Sequence, residues 1–392
     1  MHAKTRARLL SPLLGAALLA GTLSLLACGG GGGATGPAAG SLSVATATTG
    51  RDPDPDGYTL TVDGGQEISI GTNDSHTFPG LSTGSHDVEL TDVRANCGVG
   101  GDDPRSVSIS AGATASTTFD VTCQHALIDQ IAFMTNRDGN YEIYATNADG
   151  SDPVDLTNDP SSDLDPAVSP DGTRITFTTG RDGNAEIYVM NADGSNPVDL
   201  TDNSSDDEVP AWSPDGSKIA FATDRDGNAE IYVMNADGSD PVDLTDDPGA
   251  DFYPAWSPDG SKVAFTTDRD GAYEVYVMNA DGSDPVDLTN NPADDRQAAW
   301  SPDGSKIAFA THRDGNFEVY VMDADGSNPV RLTHGSGLEW APTWSPDGSK
   351  IAFQGDKNGV PDIWVMDADG TNQVDITQTA ALEETPSWSP VQ

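Results

Sequence analysis

Residues 256–289, WSPDGSKVAFTTDRDGAYEVYVMNADGSDPVDLT, are one copy of a unit that returns through most of the chain. The position of Trp256 recurs as Val168, Trp212, Trp300, Trp344 and Trp388, and that of Val263 as Ile131, Ile175, Ile219, Ile307 and Ile351, 44 residues apart each time. Four-stranded propeller blades produce a period of roughly 40–45 residues. Four strands, a to d, are expected in this copy, at 254–257, 262–266, 274–278 and 285–289. The Pro-Asp-Gly, Arg-Asp-Gly and Ala-Asp-Gly-Ser segments between them supply the turns, because Gly and Asp accept positive φ. Strands b and c are apolar on both faces, as a blade packed between two neighbours requires.

Counting strands decides closure. The first b–c–d set has no a strand before it, since Gln124 stands where its Trp should be. The sixth a strand, around Trp388, has no b–c–d set after it. The two remainders complete one blade, so an all-β fold is expected, with a six-bladed β-propeller over 124–392 closed by its C-terminal strand. An open array would leave two unpaired edges.

The chain before the repeat reads as three pieces. Residues 1–28 have a basic start and an apolar stretch ending Leu25-Leu26-Ala27-Cys28, the pattern of a lipoprotein signal peptide with a lipobox, in which Cys28 is acylated. Residues 29–40 are a Gly-rich tether. Residues 41–123 carry alternating segments at 42–48, 58–62, 67–70, 88–90, 107–109 and 117–121, separated by Gly-containing turns, as in a small β-sandwich. In an exported protein the two remaining thiols, Cys97 and Cys123, are expected to form a disulfide, with Cys97 in a loop before the last strand. In strand pattern this unit resembles the immunoglobulin-like and PEGA-type modules of bacterial surface proteins.

The repeat, with W-S-P-D-G, I-A-F and I-Y-V-M-[ND]-A-D-G in successive units over about 127–390, resembles the TolB-type propeller family. That resemblance implies a six-bladed ring, partner binding at its mouth and work in the bacterial envelope. The chain departs from TolB itself in having a β-sandwich where TolB has an α/β domain, and in its lipid anchor.

The formal charge of −44, from 63 acids against 19 bases, excludes nucleic acid, whose binding needs Lys and Arg on the phosphates. It equally excludes docking on anionic headgroups, so membrane attachment is expected through the lipid anchor only. Most of the charge belongs to the repeat: ten acids lie between Ile219 and Lys262. Charge spread so evenly reads as a solvated exterior.

Five residues before each Trp position stands an acid: Asp163, Asp207, Asp251, Asp295, Glu339 and Glu383. These are expected to ring the channel mouth, either as a site for Ca²⁺ or a basic peptide, or as partners of Arg137, Arg181, Arg225, Arg269, Arg313 and Lys357 in the b–c turns. The next two positions break the repeat: Leu164, Glu208, Phe252, Arg296, Trp340 and Glu384, then Asp165, Val209, Tyr253, Gln297, Ala341 and Thr385. Phe252, Tyr253, Arg296 and Trp340 are the residue types found at binding hot spots and form the expected partner site.

A catalytic set is not expected. The repeat holds only His312 and His334, and there is neither G-x-S-x-G nor H-E-x-x-H. The functional expectation is a monomeric, exported envelope lipoprotein that binds a protein, peptide or glycan at the channel mouth and requires no cofactor, Ca²⁺ being the one ion the acidic ring would take. The alternatives are a propeller-type hydrolase or lyase with a channel metal, and a purely structural surface protein.

Overall fold

A computed structural model describes residues 39–390, apart from Gln66 and Asn358. The secretion signal, Cys28 and all but the last two residues of the tether lie outside the described residues.

The N-terminal unit is a sandwich of two four-stranded sheets. In chain order its strands are β1 (Ala39–Gly50), β2 (Tyr58–Val62), β3 (Ile68–Ile70), β4 (Ser75–Ser82), β5 (Gly84–Thr91), β6 (Cys97–Val99), β7 (Arg105–Ile109) and β8 (Thr114–Cys123). One sheet runs β4-β1-β8-β6 and the other β3-β2-β5-β7. Leu42, Val44, Leu60, Val88 and Phe119 meet between them, fully buried. β4 was not expected from the sequence. It is an edge strand containing Pro79 and Gly80, and none of its residues is fully buried, so it carries little apolar alternation. Cys97 opens β6 rather than lying in a loop, and faces Cys123 across the ladder in a disulfide.

The sandwich joins the ring without slack. Asn96 Nδ2 donates to the carbonyls of Asp52 (3.1 Å) and Gln124 (2.8 Å). Arg51 pairs with Asp193 in a c–d turn at 3.1 Å. Leu127 is buried, its amide bonded to the carbonyl of Gly172 in an a–b turn. Among the described residues, the contacts to Asp193 and Gly172 lie on the face of the a–b and c–d turns, opposite that of the d–a loops and b–c turns.

The ring has six four-stranded blades in the order a-b-c-d from the axis outward. Blade I comprises Glu383–Trp388, Gln130–Thr135, Glu142–Asn147 and Val154–Asp155. The a strands of blades II to VI are Asp163–Val168, Asp207–Trp212, Asp251–Trp256, Asp295–Trp300 and Glu339–Trp344. Closure is as counted: Trp388 pairs with Ile131 and Glu383 with Thr135. The seam is also packed, since Ile131, Phe133 and Tyr144 of blade I share a core with Ile363, Val365 and Ile376 of blade VI. The d strands are two residues long, which blunts the outer edge against further pairing.

Each a strand contains a bulge between its second and fifth residues, such as Phe252 and Ala255. The third residue is left-handed in all six blades although none is Gly: Asp165 (φ 49°), Val209 (56°), Tyr253 (55°), Gln297 (55°), Ala341 (46°) and Thr385 (45°). Such a bulge re-aims the side chains on either side of it. That local twist decides the composition of the channel.

Candidate binding site at the channel mouth

The six acids that open the a strands do not line the channel. All are 0% exposed, which corrects the expectation of an open carboxylate ring. Five are held by the basic residue of their own blade. Arg181, Arg225, Arg269 and Arg313 place Nη2 2.9, 2.9, 3.1 and 3.0 Å from Asp163, Asp207, Asp251 and Asp295, and Arg137 bonds Glu383. Each of these guanidinium groups also donates Nε to a Thr at the end of strand b, such as Thr223 at 3.1 Å for Arg225, and lies over the strand-c Tyr, 4.6 Å from the Tyr232 centroid in that blade. A planar cation is fixed from three directions, and the pairing is structural.

Blade VI is the exception. Lys357 bonds Gln373 and lies over Trp364 instead. Glu339 is left against Glu318, and burial together with that neighbour pushes its carboxyl up to about 7.

The same geometry bears on Ca²⁺. Among the described residues, the one group of three acids whose oxygens come within 4.8 Å of one another is Glu230, Asp247 and Asp251. Arg269 Nη2 pairs with both Asp247 and Asp251, so a guanidinium already stands where a metal would. The donor set does not suit Ca²⁺, which takes six to eight oxygens.

The channel is lined by the residues two positions further on. Asp165, Val209, Tyr253, Gln297, Ala341 and Thr385, backed by Pro166, Pro210, Pro254, Ala298, Pro342 and Pro386, enclose a cavity of about 140 Å³. Asp165 brings the only charge to this tier. Its carboxyl is pushed up to about 7, first by enclosure and then by Glu208 and Glu384 on the flanking blades. Tyr253 is likewise pushed up to about 12 by burial, with Asp165 adding to the effect.

Above this tier the rim divides into two halves. Glu384, Leu164 and Glu208 stand on blades I, II and III, with Glu384 accepting from Gln354 at 3.3 Å. Phe252, Arg296 and Trp340 stand on blades IV, V and VI. The Arg296 guanidinium lies 3.8 Å over the Tyr273 ring and bonds Asp294 at 3.0 Å. Trp340 stacks on Phe317 with centroids 4.1 Å apart, and Phe252 lies 6.3 Å from Tyr253.

The structure therefore brings the expected quartet to one half of the mouth, with two differences. Tyr253 points into the channel rather than standing on the rim, and Arg296 is already engaged. Sequence reading missed Tyr273 and Phe317, which sit just before strand c of blades IV and V. A repeated bond brings them there, because the amide of each a-strand acid donates to the carbonyl of that residue in the preceding blade (Asp295 to Tyr273 at 2.7 Å, Glu339 to Phe317 at 3.0 Å). The signal was available: that position reads Tyr141, Ala185, Ala229, Tyr273, Phe317 and Pro361, as variable as the rim.

Six four-stranded blades closed by the last strand define a six-bladed propeller. The family description "TolB beta propeller domain" matches residues 128–206, 200–298 and 288–392, and the chain belongs to that family. A protein TolB homolog of Chlorobaculum tepidum is 56% identical over 46 residues, which span 12% of this chain and only 11% of that relative's length. Among solved structures, TolB of Acinetobacter baumannii is similar with a TM-score of 0.61 at 22% identity, over 79% of this chain and 80% of the other. A putative TolB of Agrobacterium tumefaciens gives 0.55 at 21% identity, over 67% and 99%. At such identities these two likenesses concern the fold.

Proposed function

We propose that the chain is an exported, lipid-anchored bacterial envelope protein whose propeller binds a protein or peptide partner at the channel mouth, without catalysis. One observation carries this reading. The frame of the ring is nearly invariant from blade to blade, and the residues that depart from it converge on one mouth with an aromatic and an acidic half. A surface under structural constraint alone would repeat there as it does elsewhere. The face that bears the mouth is turned away from the sandwich, so a tether at Cys28 would leave it accessible. Stacked aromatic side chains bury a large area at small entropic cost, which suits recognition.

The test is capture from envelope extracts by the chain and by a Phe252→Ala/Tyr253→Ala/Trp340→Ala variant. A retained partner lost in the variant supports the reading, and equal capture by both overturns it. Release of product from ester, peptide or polysaccharide panels would place the protein among propeller enzymes instead. Replacing Cys28 by Ser, followed by detergent partitioning, tests the anchor. Continued partition into the detergent phase would exclude acylation at this residue.

A further inference from the structure

We infer that the acidic half of the mouth receives one lysine side chain from an extended segment of the partner, its ammonium placed at Asp165 and the neighbouring residues of the segment held by the aromatic half. This rests on the binding reading above and specifies its occupant.

The argument begins with what Asp165 lacks. The buried acids that open the a strands each have an arginine, except Glu339. Asp165 makes no hydrogen bond or ion pair among the described residues, although it stands in a cavity lined otherwise by neutral side chains. The charged groups acting on it are Glu208 and Glu384, of its own sign, from the two flanking blades. Thr385, on the same tier of blade I, has a hydroxyl oxygen that is inaccessible to solvent and without a partner. Arg296, the cation of the mouth, stands three blades away and is fixed by Tyr273 and Asp294. The site thus presents carboxylates with no cation of its own. Burial and two like charges disfavour the ionised form of Asp165, and an entering cation would relieve both effects.

Three features select lysine. The oxygens of Asp165, Glu208 and Glu384 do not gather within 4.8 Å as those of Glu230, Asp247 and Asp251 do, so one metal ion cannot bridge them. The cavity of about 140 Å³ is framed by prolines, which keeps it narrow. A compact ammonium with three donors on a flexible stem suits such a hole better than a planar guanidinium, which asks for a fork of acceptors. The stem would pass the rim at Leu164 while Phe252 and Trp340 face the flanking residues across the channel.

Selection of phage-displayed random peptides of about twelve residues on the full chain tests this, with Asp165→Asn as the paired target. Asp237→Asn, on an exposed c–d turn, controls for the general attraction of basic peptides to a polyanion. Enrichment of a lysine at a fixed distance from an aromatic residue is expected on the wild type and on Asp237→Asn, and its loss on Asp165→Asn. For a selected peptide, norleucine in place of lysine should weaken binding at least about tenfold to the wild type and hardly at all to Asp165→Asn. Lysine enrichment that survives in Asp165→Asn overturns the inference, as does a melting temperature raised by millimolar Ca²⁺ in the wild type but not in that variant. Peptides that need Phe252 and Trp340 but neither lysine nor Asp165 would leave the binding reading standing and remove this one. If no peptide is selected and no partner is captured, both fall.

Discussion

Asp207 and Arg225 show what single residues do in this frame. A carboxylate with no exposure is tolerated because a guanidinium meets it at 2.9 Å, and that guanidinium is itself held by Thr223 and Tyr232. Arg225→Ala leaves the carboxyl buried without its cation and is expected to lower stability by about 3 kcal/mol, read from urea unfolding. A change under about 1 kcal/mol would show that the pair is incidental.

A second residue-scale device lies in the sandwich. His86 is 6% exposed, with Nδ1 2.6 Å from Asp63 Oδ2 and Nε2 2.9 Å from the Ser82 carbonyl. Both ring nitrogens face acceptors, an arrangement that favours the protonated imidazole. The Ser82 carbonyl first and Asp63 second raise its pKa above the ordinary histidine range. Its contribution is therefore complete below the unfolded-state pKa and lost as pH rises through the higher folded value. The Asp63 carboxyl, lowered first by its bond to His86, contributes above its own unfolded pKa and loses that as pH falls through the folded value. The stability of wild type over His86→Gln should thus be greatest in mildly acidic solution and should shrink as pH rises through the raised folded-state pKa. A difference independent of pH would contradict the assignment.

At the scale of the element, the c–d turn is as constrained as the strands. Gly238 has φ +86°, and a Cβ there would lie 2.6 Å from the Leu200 carbonyl of the preceding blade. Gly238→Ala is expected to cost about 2 kcal/mol or more, through the left-handed backbone and the close approach together. The a-strand bulge matters more for function. One inserted residue buries the acid beneath its arginine and sends the residue two places on into the channel. Val209 and Thr385 occupy this conformation despite β-branching, so the ladder on either side imposes it.

At the scale of the molecule, the charge of −44 is a standing repulsion distributed over six similar blades. Most acids of the c–d turns are exposed, and salt screens such charges over a few ångströms to tens of ångströms. Raising NaCl from about 10 mM to about 0.5 M should therefore raise the unfolding temperature. A midpoint that does not move would mean that repulsion among these charges contributes little beside local bonds such as those of Asp215 to Ser213 and Ser217.

The repeat by itself determined a great deal. Its period, its six b–c–d sets and the stray strand around Trp388 were enough for a closed six-bladed ring, because blade packing demands two apolar faces and closure demands a whole number of strands. The basic partner of five of the six acids and the variable rim were also legible, since both the repeat and departures from it are visible without coordinates. Edge strand β4 was not, because an edge with Pro and Gly needs no apolar alternation. Nor could the sequence say which of three consecutive residues, such as Asp163, Leu164 and Asp165, would face the axis. Strand periodicity places i and i+2 on one face, so Asp163 and Asp165 should share a side. The bulge breaks that rule, and it exists only where strands a and b are paired. Tertiary structure alone therefore buried Asp163, left Asp165 unpartnered in the channel, and set the acidic half of the mouth opposite Phe252, Tyr273, Phe317 and Trp340.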